Sequence, residues 1–151
     1  MIQIIQGNLL ECQEAIFGHQ VNCQGVMGSG IARQVRDQYP AVYDAYRQFC
    51  QGKPPNELLG QCQLVELGNK TVANLFGQLH YGRNPVQYTD YEGLRKSLIQ
   101  LKNYARQRQL RVALPYLIGC GLANGDWQLV SRMLEELFTD NSLTLYQYTG
   151  E

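Results

Sequence analysis

The sequence predicts an α/β protein with a mixed, largely parallel sheet covered by helices on both faces. Segments of strand type alternate with segments of helical periodicity along the chain. Two glycine-rich segments each follow a predicted strand and precede a predicted helix. Hydrophobic residues make up 44% of the chain and charged residues 17%, which is enough apolar side chain for a core. Because 151 residues is the size of one ordinary domain, we expect residues 1–151 to form a single domain.

The first part of the chain predicts two strands followed by two helices. Residues 2–6 (IQIIQ) form a short β-type run, and residues 16–21 form a second apolar run. From about Ser29 the apolar residues recur at helical spacing, and this pattern restarts after Pro40. Proline suits the first turn of a new helix because that turn needs no N–H donor there. The KPPNE segment at 53–57 is predicted to be a surface turn.

The middle of the chain predicts a hairpin and then a long helix. Residues 62–67 and 71–76 have strand character on either side of a Gly68-Asn69 turn. Thr89 and Glu92 form the T-x-x-E pattern of a capping box, in which each side chain satisfies a free backbone N–H. We therefore expect the helix to begin at Thr89.

The last third predicts a buried strand, a helix and a closing strand. The strands are at 111–116 and 143–148, and the helix follows from Trp127. Parallel α/β sheets bind ligands at the carboxyl ends of their strands. Since the glycine-rich segments 25–30 and 118–125 both follow strands, we expect them to meet at one edge of the sheet.

Glycine-rich loops of this kind can bind phosphate without a charged side chain. A loop that enters a helix N-terminus offers unpaired N–H groups and the positive end of the helix dipole. One such loop is often only a tight turn, but two at one edge could hold a pyrophosphate between them. The motifs are neither a P-loop nor a G-x-G-x-x-G directly after the first strand. A nicotinamide-dependent oxidoreductase is disfavoured, since no acidic residue ends the second strand in the usual relation to such a fingerprint.

Composition argues against several other classes of protein. Thirteen basic and thirteen acidic residues cancel, so the chain carries no overall charge to attract nucleic acid. None of the five cysteines forms a C-x-x-C pair, and two histidines with scattered carboxylates offer no ligand spacing. We expect no disulfide framework, no metal and no cofactor. The sequence also has no long apolar run and no secretory signal pattern, so we expect a monomeric cytoplasmic protein.

The residues of the two loops resemble those of macrodomains. The resemblance is carried by NCQGVMGSGIA, residues 22–32, and by IGCGL, residues 118–122, and it covers almost the whole chain. The chain most resembles the branch of the terminal-ADP-ribose protein glycohydrolase, with DNA-ADP-ribose antitoxins and ADP-ribose-1″-phosphate phosphatases as neighbours. The resemblance implies a three-layer α/β/α fold and a cleft for ADP-ribose.

The resemblance also implies ligand contacts at the matching positions. Asn22 matches the asparagine that faces the distal ribose, and Tyr146 matches an aromatic position beside the adenine. The other matching residues are Asn8 and Leu9 at the adenine, Gly28, Ser29, Gly30 and Ile31 in the first phosphate loop, and Gly119, Cys120, Gly121 and Leu122 in the second. The residue types agree with these roles, because glycines clear room for a diphosphate and an amide suits ribose hydroxyls.

The candidate catalytic residues are Asn22, Asp126 and His80. The glycohydrolase branch has a lysine and an aspartate at positions that fall near Gln78 and Ala123 here, so a covalent lysine mechanism is not expected. Asp126 could activate a water molecule, and His80 could exchange protons near neutral pH. Asp126 could equally be a helix N-cap, and His80 could be an exposed loop residue.

Five further residues near the loops have simpler interpretations. Tyr81 and Arg83 could clamp the distal ribose and phosphate, or they could lie in a solvated loop. We interpret Cys23 and Cys120 as packing residues, because no activating partner is evident in the sequence. We interpret His19 as structural.

Two functions of different classes follow from these observations. The first is an enzyme that hydrolyses an ADP-ribose derivative, such as a protein ester, an ADP-ribosylated base or ADP-ribose 1″-phosphate. The second is a non-catalytic module that binds ADP-ribose or a related nucleotide signal, which the missing lysine favours. In both cases the partner is ADP-ribose or an ADP-ribosylated substrate, and nucleic acid would take part only as ADP-ribosylated DNA or RNA.

Overall fold

Six strands form one sheet in a computed structural model that describes residues 2–148. The strands are β1 (Ile2–Gln6), β2 (Ile16–Asn22), β3 (Cys62–Leu67), β4 (Lys70–Gln78), β5 (Val112–Pro115) and β6 (Leu143–Gln147). Their spatial order is β1-β6-β5-β2-β4-β3. The pairing of β3 with β4 is antiparallel and the other pairings are parallel, so the sheet is mixed and largely parallel, as predicted.

Helices cover both faces of this sheet. They are α1 (Gly30–Gln38), α2 (Pro40–Cys50), the single-turn α3 (Pro55–Leu58), α4 (Tyr91–Arg108) and α5 (Trp127–Leu137), with a short 3-10 helix at Leu9–Glu11. On one face α1 and α2 contribute Val35 and Val42 to the core. On the other face α4 and α5 contribute Leu98 and Val130. The predicted α/β/α layering is therefore confirmed.

The central strands bury both of their faces. Successive side chains of a strand point to opposite sides, so Ile16 packs with the α4 and α5 core while Phe17 packs with the α1 and α2 core. Leu114 and Ala113 of β5 divide in the same way. A strand covered on both sides is apolar throughout, which explains why these segments appeared as continuous apolar runs in the sequence.

The predicted start of the long helix at Thr89 is wrong. The helix begins at Tyr91, and its N-cap is Asp90, whose carboxylate accepts a hydrogen bond from the Gly93 N–H at 2.8 Å. Thr89 is buried, and its hydroxyl donates to the Gly119 carbonyl at 2.6 Å. A tertiary contact thus uses the side chain that the capping box required. The predicted turn at 53–57 is also incomplete, because it contains part of the helical turn α3.

The two glycine-rich segments leave the sheet at neighbouring strands. β2 lies beside β5, with Ile16 opposite Val112. The chain runs from β2 into α1 on one face and from β5 into α5 on the other. This divergence is a topological switch point, where α/β sheets open a crevice for ligands.

The first and last strands of the fold are neighbours. β1 is an edge strand that pairs in parallel with β6, with Ile2 opposite Leu143. β6 lies between β1 and β5, so the last strand in the sequence is interior to the sheet. Within residues 2–148, no helix has both the length and the apolarity needed to cross a membrane.

Candidate functional site

A cavity of about 630 Å³ opens at the carboxyl edge of the sheet, and both glycine loops line it. We define the first glycine loop as residues 22–31 and the second as residues 118–125. The predicted phosphate-loop residues that line the cavity are Gly28, Ser29, Gly30, Ile31, Gly119, Gly121 and Leu122. The volume is within the range of small-molecule sites. The expectation that the two loops meet at one edge is confirmed.

The first glycine loop delivers the N-terminus of α1 to the cavity. Ser29 is the N-cap residue, but its side chain makes no capping hydrogen bond. The first-turn N–H groups of a helix lack partners within the helix, so here they remain free for a ligand. Gly30 has φ +59°, a conformation that favours glycine, and a Cβ there would lie 3.8 Å from Leu122 of the second loop.

The side chain of Asn22 gives the first glycine loop its shape. Its Nδ2 donates to the Val26 carbonyl at 2.8 Å, and its Oδ1 accepts from the Gln24 N–H at 2.9 Å. The buried Tyr46 of α2 donates to the Oδ1 and to the carbonyl oxygen of Asn22, at 2.9 and 2.6 Å. These hydrogen bonds show that Asn22 stabilises the loop. The same residue also lines the cavity. Sequence reasoning missed Tyr46, whose helical spacing marked it only as a core residue.

The second glycine loop has a compact backbone. Gly119 has φ +75°, and a Cβ there would lie 3.1 Å from Oε1 of Gln20 and 3.2 Å from the hydroxyl oxygen of Thr89. The Cys120 N–H donates to the Leu117 carbonyl at 2.8 Å, and Cys120 is not among the cavity-lining residues. Leu117 and Leu122 line the cavity with 41% and 51% of their surface exposed, which gives a ligand apolar surface to cover.

A network of side-chain amides joins β2, β4 and the second glycine loop. Nε2 of Gln20 donates to Oε1 of Gln78 at 2.9 Å and to the Thr89 hydroxyl at 3.0 Å. Gln78 in turn donates to the His80 carbonyl at 2.8 Å. Gln78 and Ala123, near which the resemblance places the family's lysine and aspartate, both line the cavity. The sequence predicted the two positions but not the amide network around them.

The residues predicted at the adenine are not among those that line the cavity. Asn8 caps the short 3-10 helix through its Oδ1, which accepts from the Leu10 N–H at 3.0 Å. The hydroxyl of Tyr146 donates to a carboxylate oxygen of Glu14 at 2.7 Å. Leu9 and Tyr146 pack in one hydrophobic cluster with Ile31, which does line the cavity.

The structure does not bring the three candidate catalytic residues together. Asn22 lines the cavity, whereas Asp126 is exposed and caps α5, with its carboxylate accepting from the Gln128 N–H at 2.9 Å. His80 is exposed and lines a smaller neighbouring pocket, with Nδ1 3.4 Å from Nε2 of Gln24. Neither Asp126 nor His80 is among the residues that line the main cavity.

The remaining residues near the loops divide into two groups. Tyr81 and Arg83 line the cavity and are also exposed, so their role as a clamp on the ribose and phosphate stays a prediction. Burial raises the pKa of the Cys23 thiol to about 12 and that of Cys120 to about 11, so neither is a thiolate at neutral pH. This agrees with their interpretation as packing residues.

His19 has a larger part in the site than the sequence indicated. Only 1% of its surface is exposed, yet the residue is one of those that line the cavity. Its Nε2 lies 2.7 Å from Oδ1 of Asn74 on β4. Burial lowers the pKa of the imidazole from 6.5 to about 4, against a smaller upward effect of the Asn74 contact. His19 is therefore neutral at physiological pH.

Comparison with known proteins decides the family. The model of the Macro domain matches residues 19–134, a range that runs from β2 through both glycine loops into α5. The chain belongs to the Macro domain family. Two curated relatives are an ADP-ribose 1''-phosphate phosphatase of Scheffersomyces stipitis, 38% identical over 85 residues, and a DNA ADP-ribosyl glycohydrolase of Mycobacterium tuberculosis, 32% identical over 146 residues.

Each of these matches covers only part of the relative. The matches cover 51% of this chain and 49% of the phosphatase, and 91% of this chain and 39% of the glycohydrolase. The chain thus spans half or less of their length. Among solved structures, the macrodomain of DarG from Mycobacterium tuberculosis is 28% identical, covers 97% of each chain and superposes with a TM-score of 0.79.

Proposed function

We propose that this macrodomain binds ADP-ribose in the main cavity and hydrolyses an ADP-ribose derivative, either a conjugate or ADP-ribose 1″-phosphate. The observation that carries the proposal is that two glycine loops, one of them entering an uncapped helix, line a single cavity. The names of the curated relatives, a phosphatase and a glycohydrolase of ADP-ribose compounds, support the same class of substrate.

In the proposed complex the diphosphate lies between the two glycine loops. The free N–H groups at the start of α1 would donate to its oxygens without any charged side chain. The adenine would extend toward Asn8, Leu9 and Tyr146, and the distal ribose toward Asn22. Arg83, which lines the cavity, would pair with phosphate or with developing negative charge.

We propose that water attacks the substrate directly, because Gln78 cannot form an imine with the sugar as a lysine would. The attack would occur at C1″ of a conjugate or at the terminal phosphorus of ADP-ribose 1″-phosphate. Asn22 would orient the ribose, while loop N–H groups and Arg83 stabilise the departing charge. Asp126 and His80 stay predictions as proton-transfer groups, and both lie outside the cavity lining.

The second candidate function is a reader that binds ADP-ribose without turning it over. One observation favours it: the cavity-lining residues in the described part of the chain include no aspartate, glutamate or lysine. General bases in hydrolysis are usually carboxylates, histidine or lysine, and the neutral His19 is held by Asn74. Under either function we propose a single-domain monomer of the cytoplasm, with nucleic acid as a partner only in ADP-ribosylated form.

The experiment that tests the proposal has two steps. Calorimetric titration with ADP-ribose comes first, and absence of binding at millimolar ligand would contradict both functions. Incubation with ADP-ribose 1″-phosphate, glutamate-linked ADP-ribose and thymidine-linked ADP-ribose follows, with release of ADP-ribose as the readout. Turnover of any of the three supports the enzyme, and binding without turnover supports the reader.

A further inference from the structure

We propose that Nδ1 of His19 accepts a hydrogen bond from a sugar hydroxyl of the bound nucleotide. This inference rests on the proposed function, since it assigns a specific contact within the same cavity. The residue lies at the middle of β2, three residues before Asn22 at the start of the first glycine loop, and was expected to be only structural. Its surroundings fix both the proton on its ring and the atom that remains unpaired.

A ladder of polar side chains across three strands determines the tautomer of His19. Nε2 of Gln63 donates to the Ala45 carbonyl at 3.0 Å, so Oε1 of Gln63 is free to accept. Nδ2 of Asn74 donates to that Oε1 at 3.0 Å, which leaves Oδ1 of Asn74 as an acceptor facing His19. The 2.7 Å contact therefore requires a proton on Nε2 of His19, and Nδ1 carries a lone pair.

The lone pair of Nδ1 has no partner among the described residues, although the atom is buried. Buried polar atoms are nearly always hydrogen-bonded in folded proteins, and an exception calls for an explanation. His19 lies on the same face of β2 as Phe17 and Val21, which pack toward α1 and α2. It is one of the residues that line the cavity, together with Asn22 and Gly28 of the first glycine loop.

The chemistry of Nδ1 restricts what it can contact. Because it is an acceptor, it cannot pair with the oxygens of a diphosphate, which are acceptors too. The donors of ADP-ribose are its adenine amino group and its sugar hydroxyls. The adenine belongs at the Asn8 and Tyr146 end in the proposed complex, so a ribose hydroxyl is the matching group.

Two substitutions of His19 separate its two ring nitrogens. His19→Gln places an amide near the Nε2 position and keeps a partner for Asn74, but removes the Nδ1 acceptor. His19→Asn is the matched control, because its amide oxygen falls near the Nδ1 position. Both proteins and the wild type are titrated with ADP-ribose and with analogues that each lack one ribose hydroxyl, after thermal melts establish that they are folded.

The expected result is specific to one hydroxyl. His19→Gln weakens ADP-ribose binding about tenfold, the effect of one hydrogen bond, while His19→Asn stays within about threefold of the wild type. For the analogue that lacks the contacted hydroxyl, the wild type and His19→Gln bind equally. In the wild type, the ¹⁵N resonance of Nδ1 shifts with ADP-ribose and not with that analogue, which provides the test if a variant fails to fold.

Two results would overturn the inference and leave the proposed function standing. One is wild-type affinity of His19→Gln for ADP-ribose, with no shift of the Nδ1 resonance. The other is an equal loss of affinity for every analogue, which would mean that His19 only supports β2. Failure of the wild type to bind ADP-ribose would instead contradict the proposed function, and this inference would fall with it.

Discussion

Asn22 combines a structural role in its loop with a place in the lining of the cavity. Its side-chain amide forms hydrogen bonds with the backbone of its own loop and with the hydroxyl of Tyr46, and the residue also lines the cavity. A direct substitution of Asn22 would therefore mix a lost ligand contact with a collapsed loop. Substituting Tyr46 instead weakens the support of the loop while the amide of Asn22 stays in place.

We expect Tyr46→Phe to lower the free energy of unfolding by about 1–3 kcal/mol, because it removes the donor to two acceptors of Asn22 in a buried environment. ADP-ribose affinity should fall with it, since the first glycine loop loses a support. Urea unfolding and calorimetry measure the two effects. Tyr43→Phe on the same helix is the control, and equal behaviour of the two variants would contradict the prediction.

The buried His19 predicts how stability depends on pH. Its pKa is about 4 in the folded protein and 6.5 when unperturbed, so between these values the unfolded chain binds more protons. Unfolding therefore becomes easier as pH falls from 6.5 toward 4, with a loss of about 2 kcal/mol by pH 5 from this residue. Urea unfolding at pH 7 and pH 5 measures it. A His19→Gln protein should lack this part of the loss, and the same loss in both proteins would exclude His19 as its source.

At the scale of elements, the helices at the sheet edge differ in how they begin. Aspartates cap α4 and α5, with Asp90 accepting from the Gly93 N–H and Asp126 from the Gln128 N–H. The side chain of Ser29 leaves α1 uncapped at the cavity. A helix end without its own cap is the one best able to receive an anionic ligand.

Substitutions of Asp126 distinguish a cap from a base. We expect Asp126→Ala to lower the free energy of unfolding by about 1 kcal/mol and Asp126→Asn by much less, because asparagine also caps helices. A role as cap alone, which the position of the carboxylate outside the cavity lining favours, predicts that both variants keep the turnover of the wild type. Release of ADP-ribose is the measurement. Loss of turnover in Asp126→Asn, with stability and ADP-ribose affinity unchanged, would establish Asp126 as the water-activating residue.

For the whole molecule, sequence reasoning succeeded where the signal is local. Periodicity and turn residues predicted the order of strands and helices, and the position of the glycine loops after β2 and β5 predicted that they would share one edge. Thr89 was misplaced because its hydroxyl bonds to Gly119, which is far away in sequence. The sequence predicted a structural His19, but its hydrogen-bonded connection to Asn74 and Gln63 was missed for the same reason, as only the pairing of β2, β4 and β3 aligns these residues.

Ligand binding should stabilise the whole domain, because the cavity joins loops from several elements. ADP-ribose at a hundred times its Kd should raise the free energy of unfolding by about 2.7 kcal/mol and raise the Tm. Thermal melts with increasing ADP-ribose measure the shift. Ribose 5-phosphate, which lacks the diphosphate and the adenine, is the control, and an equal shift from it would contradict a site built around the two loops.

The pairing of β1 with β6 has a consequence for the folding of the protein during its synthesis on the ribosome. Ile2 is synthesised before β2 to β5 and before all five α-helices, whereas its partner Leu143 follows them, so β1 must wait for every one of these elements. Because β6 lies between β1 and β5, β1 cannot join the rest of the sheet until β6 has been synthesised. Contacts so distant in sequence slow folding. The uncharged strand IQIIQ, whose Ile4 stays 57% exposed even in the finished fold, thus remains an unpaired apolar segment until β6 has been made.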